Sequence, residues 1–467
     1  MKTEALLQEI SEYCRAHRMA ESTFGRHAVN DGKFISRLKD GANVTLATVE
    51  RVRGFINANA AQGSASVELT GINGATSASR PGATREPEVT AEHFRFYDNR
   101  QKYLMFVNTC SEKWVIADRI GQELDSLHPL PPALRVFDAG VGDGTVLARV
   151  MRAMHHKFEK YPFYIVGKEI SLEDVRLTLE KMPDRFFEHP STMLVLTNMA
   201  YTEAPWLTPS NPIAATKMVW KELALQGSTT AEFERQITDL QAFLAEHWRA
   251  SVSPKTGNPV YEQPVVLTLY REDCRFLLDA VRPRRGGVHA DFDLVIASQP
   301  YRARASTEFK AKRVVAPLAR ALRPGGRLIG IHSYGGDPGL EIVQSVWNTE
   351  NPFHTDRYAL LKAVKTELGK CAHHFNFGAN SDSKMLFRYH MHTLPDEIDH
   401  GSTSIGTSTL LAAWNAAVYV AQIEDERLAV AMANSNYLNA TREVLRKHGG
   451  LWFFDESYTV IRKRDFM

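Results

Sequence analysis

The stretch Asp138-Ala139-Gly140-Val141-Gly142-Asp143-Gly144 lies between an apolar run, Leu134 to Phe137, and a helical run, Thr145 to Met154. A glycine-rich turn between a buried strand and a helix lets a ligand approach the backbone, because no Cβ intervenes. Dinucleotide sites space their glycines G-x-G-x-x-G and offer free N–H groups to a pyrophosphate. Here the spacing is G-x-G-x-G, and Asp138 and Asp143 flank it. Two carboxylates repel a pyrophosphate and suit a cationic ligand that carries no phosphate.

Outward from this loop, buried-strand runs alternate with helical runs, the pattern of a parallel sheet covered by helices. Tyr164 to Val166, Met193 to Leu196, Val265 to Leu269, Leu294 to Ala297 and Leu328 to Ile331 read as further strands. Leu172 to Lys181 and Glu308 to Ala321 read as helices. Residues 206–263 read as a helical insertion, with Phe233, Ile237, Leu240, Phe243 and Leu244 at helical spacing, and 409–447 as a second one. Met385 to His392 and Leu451 to Arg462 suit an antiparallel strand pair at the sheet edge.

At 467 residues the chain exceeds the size of a single hydrophobic core, so more than one domain is expected. Its 44% hydrophobic and 24% charged residues are ordinary for a globular protein, and a formal charge of +2 requires any basic surface to be local. The four cysteines lie far apart with no C-x-x-C pair and no secretory signal, which points to a cytoplasmic protein without a disulfide framework or zinc cluster. His373, His374, His390 and His392 have no metal-ligand spacing, and no apolar run reaches the length of a membrane span.

Four features in the expected order resemble the class I, Rossmann-like S-adenosylmethionine-dependent methyltransferases, over about Ala91 to the end of the chain. They are the loop at Asp138 to Gly144, the acid Glu169 after the second strand, the strand end Asp293 to Tyr301, and the turn Leu322-Arg323-Pro324-Gly325-Gly326-Arg327-Leu328. The resemblance implies an α/β fold: a Rossmann-like methyltransferase sheet with helical insertions over 91–467. It makes S-adenosylmethionine the cofactor, held by Asp138, Gly140, Gly142, Asp143, Gly144 and Ser298, with Glu169 accepting the ribose hydroxyls. A solvated charge at a helix N-terminus is the simpler reading of Glu169. The adenine contact falls on Asp273 or Asn198, with Asp273 favoured; the plain alternative is a loop carboxylate paired with Arg271 or Arg275.

Ser298-Gln299-Pro300-Tyr301 resembles the [Asp/Asn/Ser]-Pro-Pro-[Tyr/Phe/Trp] signature of methyltransferases acting on planar amino groups. It departs by placing Gln299 where a proline is usual. The resemblance gives Ser298 and Tyr301 catalytic roles in orienting an acceptor nitrogen. His332 stands where a general base would reach the same pocket, and Tyr97, Lys102 and Tyr103 stand where a lid would precede the first strand. The acceptor, a small molecule or a nucleic acid, stays open.

Residues 1–57 resemble a small all-α, phage-repressor-like helix-turn-helix domain. Phe24, Gly25, Ile35 and Leu38 carry the likeness, with Phe34 to Gly41 as recognition helix and Thr45 to Ile56 packing behind it. This implies DNA as a partner through Lys33, Arg37 and Lys39, although Val29, Asn30 and the acids Asp31 and Asp40 depart from the motif; a protein-interaction module is the alternative. Residues 58–90, rich in Ala, Ser, Gly and Thr, read as a linker. A DNA-binding regulator that senses the cofactor without turnover, and a nicotinamide-dependent oxidoreductase, are the competing functions.

Overall fold

A computed structural model describes residues 3–16, 19–29, 31, 34–39, 48–49, 52–53, 55–56, 100–253, 258–378, 380–392, 405–434 and 436–464. The linker at 58–90 and the expectations placed on Asn30, Lys33, Asp40 and Tyr97 lie outside the described residues. The chain divides into two compact units, Met1–Glu88 and Val89–Met467.

In the first unit, helices Thr3–Ala16, Glu21–Val29 and Phe34–Lys39 enclose Leu6, Ile10, Phe24, Ile35, Leu38 and Val52. Tyr13, Phe24 and Phe55 meet edge to face, with ring centroids 5.4 to 5.8 Å apart. Arg37 forms an ion pair with Asp31, and Lys39 Nζ lies 2.7 Å from Glu21. Both cations of the expected recognition helix are thus matched by acids of their own unit.

The second unit is built on a ten-stranded sheet. Its strands are β1 (Leu134–Asp138), β2 (Phe163–Lys168), β3 (Thr192–Thr197), β4 (Val219–Leu225), β7 (Val265–Arg271), β8 (Phe292–Ser298), β9 (Leu322–Ser333), β10 (Phe375–Gly378), β11 (Leu386–His390) and β12 (Trp452–Arg462); the hairpin β5 (Ala250–Val252) and β6 (Pro259–Tyr261) stands apart. The order is β10-β12-β9-β8-β1-β2-β3-β7-β4, with β11 also pairing β12. Strands β3, β2, β1, β8 and β9 are mutually parallel, and β12 inserts antiparallel beside β9. This large, mainly parallel sheet fits the Rossmann-like methyltransferase fold expected from the sequence. Both faces are covered, which is why the central strands read as continuous apolar runs: Phe137 and Val295 face one core, Val136 and Leu294 the other.

Two expectations need correction. The 206–263 segment is not simply helical, because it adds β4 to the sheet and the β5–β6 hairpin beside helices Thr230–Thr238 and Gln241–His247. More consequentially, β7 runs antiparallel to β3, with Tyr270 opposite Met193 and Val266 opposite Thr197. Asp273, just past β7, therefore lies at the edge where β3 begins, opposite to the edge that carries Asp138 and Glu169. A run of apolar residues encodes burial but not strand direction, so the sequence was silent on this point.

The insertion also reaches the site. Trp248 is 1% exposed in the core of one sheet face, and its indole N–H donates to the Glu169 carbonyl at 3.1 Å. The second insertion consists of helices Thr407–Val420, Asp425–Asn434 and Tyr437–His448, which bury Trp414, Ala416 and Leu445 against Phe106 and Phe453. Replacing Trp248 with Ala removes a large buried ring and a hydrogen bond, and should lower unfolding free energy by about 3–5 kcal/mol. Urea denaturation followed by circular dichroism measures this; a loss under about 1 kcal/mol would show that the insertion is not integral to the core.

Candidate functional site

Parallel α/β sheets bind ligands outside the carboxyl ends of their strands, because helix N-termini and connecting loops converge there. At that edge the ends of β1, β2, β8 and β9 bring Asp138, the glycine loop, Glu169, Ser298 and His332 together.

The loop after β1 depends on left-handed backbone at Gly142 (φ 56°) and Gly144 (φ 79°). A Cβ at Gly144 would stand 2.8 Å from Thr178 Cα, so no other residue fits between the loop and the helix Leu172–Glu180. Gly142 N–H donates to Glu169 Oε2 at 2.9 Å, and Ile170 and Ser171 N–H donate to Glu169 Oε1 at 2.7 and 2.9 Å. Glu169 therefore braces the loop while retaining one lone pair, on Oε2. Thr178 donates to the Gly142 carbonyl at 2.9 Å and Lys181 to the Asp143 carbonyl at 2.7 Å. Asp143 accepts from the Thr145 hydroxyl at 2.5 Å and so holds the first turn of the following helix.

The charge on this loop is smaller than the spacing suggests. Asp138 is 2% exposed, and burial pushes its carboxyl up to about 7 despite a hydrogen bond from Gly140 N–H, with the nearby Glu169 adding to the rise and Lys113 opposing it. Burial also pushes Asp143 upward, but Lys113, the Thr145 hydroxyl and Lys181 together hold it below the usual carboxylate range. Tyr103, from the helix Arg100–Thr109, covers the loop: its hydroxyl is 3.7 Å from where a Cβ at Gly142 would be. Lys102, grouped with it as a lid residue, instead pairs with Asp425 of the second insertion.

Neither expected adenine contact is present in the form anticipated. Asp273 pairs with Arg271, whose Nε donates at 3.0 Å, at the far edge of the sheet. Asn198 ends β3 at the correct edge, but its amide is engaged, donating to the Gln263 carbonyl at 2.9 Å and accepting from Val265 N–H at 2.8 Å. It joins β3 to β7.

The turn after β8 explains the departure at Gln299. Its φ is 46°, which proline, fixed near −65°, does not adopt, and its N–H donates to the Ile331 carbonyl at 2.8 Å, which proline lacks the proton to do. The Gln299 side chain donates to Ser333 Oγ and Asp455 Oδ1, each at 3.2 Å. The Pro300 carbonyl accepts from Tyr201 at 2.7 Å. This turn is therefore a different local structure from the two-proline signature it resembles. Ser298 remains beside the loop, its carbonyl 4.0 Å from the Cβ position at Gly140.

His332 is buried and has partners at both ring nitrogens. Nε2 lies 2.9 Å from Glu456 Oε2, and Nδ1 lies 2.8 Å from the Tyr301 hydroxyl, itself 3.2 Å from the Tyr458 hydroxyl. Glu456, fully buried, also accepts from Arg357 N–H at 2.7 Å and from Arg357 Nη1 at 2.6 Å. Because the carboxylate accepts, Nε2 carries the proton, and Nδ1 accepts from Tyr301. Both ring nitrogens of His332 are thus engaged, Nδ1 by Tyr301 and Nε2 by Glu456. Glu456, Arg357 and Lys310 went unnoticed in the sequence; the signals were two adjacent acids, Asp455 and Glu456, in an otherwise apolar strand, and a lysine four residues before Val314 on an apolar helix face. Among the described residues no group of acids, histidines and cysteines is arranged to hold a metal, and no helix is long and apolar enough to cross a membrane.

No family model and no curated protein sequence matches the chain significantly. Solved structures similar to it include a geranyl diphosphate methyltransferase with geranyl diphosphate and sinefungin (12% identity, TM-score 0.30, 75% of this chain and 77% of that one). Another is phosphoethanolamine N-methyltransferase 2 of Haemonchus contortus with phosphomonomethylethanolamine and S-adenosylhomocysteine (10%, TM-score 0.29, 81% and 62%). A third is PKMT2 of Rickettsia typhi with S-adenosylhomocysteine (12%, TM-score 0.25, 76% and 54%). Those values are too low to transfer any residue's role, and the fold assignment rests on the strand order above.

The raised carboxyl of Asp138 has a consequence for stability. The protonated form is favoured on folding, so its contribution is fully present below the ordinary carboxylate range and is lost as pH rises from about 4 through about 7. A rise of that size corresponds to a loss on the order of 4 kcal/mol. Asp138→Asn keeps an acceptor for Gly140 N–H and removes this slope, so the variant should be more stable than the parent at pH 8 and nearly equal to it at pH 4. Urea denaturation at both pH values is the check, and parallel stability curves for the two proteins would contradict the assignment.

Proposed function

We propose that this protein is an S-adenosylmethionine-dependent methyltransferase. The observation that carries the reading is the Gly142 N–H to Glu169 Oε2 hydrogen bond of 2.9 Å. In a dinucleotide site the amides of the glycine turn face a pyrophosphate. Here a central amide of the loop is already matched by a carboxylate that would repel phosphate oxygens, while the same carboxylate keeps one lone pair, on Oε2, to accept a ribose hydroxyl. The fit is to a nucleoside without phosphates. The chemistry that S-adenosylmethionine supplies when bound is an electrophilic methyl group on a sulfonium with a neutral thioether as leaving group.

In this reading Asp138, Gly140, Gly142, Asp143, Gly144 and Ser298 hold the donor, Glu169 its ribose, and Tyr103 covers it. Tyr301 is the residue that meets the acceptor. Its hydroxyl passes the acceptor's proton to His332 Nδ1, and the imidazolium so formed is stabilised by Glu456, which Arg357 holds in place. An acceptor that sheds a proton, such as a hydroxyl, suits this relay. The non-proline turn at Gln299 favours it over the planar amines of the two-proline signature.

Calorimetry with S-adenosylhomocysteine, S-adenosylmethionine and NAD tests the cofactor. Binding of the first two and not of NAD is expected; NAD binding without the others would overturn the reading. A methyl-label screen over metabolite, protein and nucleic-acid pools then identifies the acceptor. With that acceptor, Tyr301→Phe and Glu456→Gln should each lower kcat by about 10²–10⁴-fold with little change in donor affinity. Unchanged kcat in both variants would remove the relay from the mechanism.

A further inference from the structure

Next to Tyr301 and His332 is a small recess of about 10 Å³, open to solvent, whose lining includes Gln299, Tyr301, Lys310, His332, Phe353 and Thr355 and no acidic residue. Lys310 is 2% exposed. Its Nζ donates to the Ala303 carbonyl at 2.8 Å and lies 5.2 Å from the centroid of the Tyr301 ring. No salt bridge joins it to a carboxylate among the described residues. An ammonium carries three donors and a full charge, so one neutral acceptor leaves it far short of its hydration in water. Burial accordingly lowers its pKa to about 8. A lysine in such a place is costly unless a ligand completes it.

The backbone around Lys310 is also unusual. The helix that begins at Thr307 widens into a π-turn over Ala311–Val315, where Ala316 N–H bonds the Ala311 carbonyl. Pro317, just beyond, has no N–H to give to the turn before it, which favours the wider pitch there. Such single π-turns recur at functional sites because they redirect side chains at the turn. The segment from Tyr301 to Ser306 is held separately by the second insertion: Ala303 N–H donates to Gln422 Oε1 at 3.0 Å and Arg304 to the Ala421 carbonyl at 2.7 Å. The insertion therefore fixes the carbonyl that Lys310 uses.

We propose that this recess binds the anionic oxygen group, a carboxylate or a phosphate, of a small-molecule acceptor, with Lys310 as its counter-charge and Tyr301 beside its nucleophilic atom. The recess has room for about one water-sized group, so it admits an oxygen of the anion while the body of the molecule lies at its mouth. Phe353 and the Tyr301 ring supply apolar walls for the body behind the anion. Placement of the acceptor beside the donor rests on the methyltransferase reading above, whereas the anion site itself does not.

The test is calorimetry on the full chain with benzoate, phenyl phosphate and uncharged benzamide, with and without saturating S-adenosylhomocysteine. Wild type is compared with Lys310→Met and Lys310→Arg, and Lys310→Gln replaces the Met variant if that one does not fold. At least one anion should bind wild type more tightly than benzamide does, about tenfold or more weakly to Lys310→Met, and within severalfold of wild type to Lys310→Arg. Preference between the two anions separates a carboxylate acceptor from a phosphorylated one. Equal anion affinity in wild type and folded Lys310→Met, no anion binding at all, or a preference for benzamide overturns the proposal. Loss of S-adenosylhomocysteine binding with anion binding intact overturns the cofactor reading alone.

Discussion

A carboxylate taken out of water has to be matched by donors or else protonated, and this constraint organises the carboxyl edge of the sheet. The acids buried there include Asp138, Glu169, Asp455 and Glu456. Each meets the constraint differently. Glu169 gathers three backbone amides and thereby sets the shape of the glycine loop. Glu456 gathers His332 and Arg357, including the Arg357 backbone N–H, and so ties β9, β12 and the helix Arg357–Leu368 at one point. Asp138 and Asp455 have fewer donors, and burial drives both carboxyls upward, well above the ordinary range at Asp455.

The same edge shows why resemblance by residue type and resemblance by geometry diverge. Ser298, Pro300 and Tyr301 match a signature at three positions, yet the fourth, Gln299, adopts a backbone conformation closed to the residue it replaces. The glutamine side chain then bridges β8 to Ser333 and Asp455, an arrangement that proline has no atoms to make. The turn is thus a different local structure from that of the signature, and beyond it Tyr301 meets His332.

Both insertions hold backbone at the site, the first while also adding β4 to the edge of the sheet. Trp248 of the first holds the Glu169 backbone from behind, and Gln422 of the second holds the segment that follows Tyr301. Rigid placement of this kind is how binding groups keep their geometry when they project from loops. The glycine loop, braced from β2, and the Tyr301 turn, braced from the second insertion, are thus positioned by separate parts of the chain.

What the sequence by itself determined was local and periodic: the strand–loop–helix around Asp138 to Gly144, the succession of buried strands, the helices of the insertions and the position of Glu169 one residue beyond β2. These follow from hydrophobic period and glycine placement, which act over a few residues. Tertiary structure alone decided the direction of β7, and with it the removal of Asp273 from the site and the use of Asn198 as a strand connector. It also brought His332 against Tyr301, and placed Arg357, Glu456 and Lys310, up to 124 positions from His332, in the same surroundings. Strand direction and long-range side-chain pairing depend on which surfaces meet in three dimensions, and a linear pattern of apolar and polar residues carries no record of that meeting.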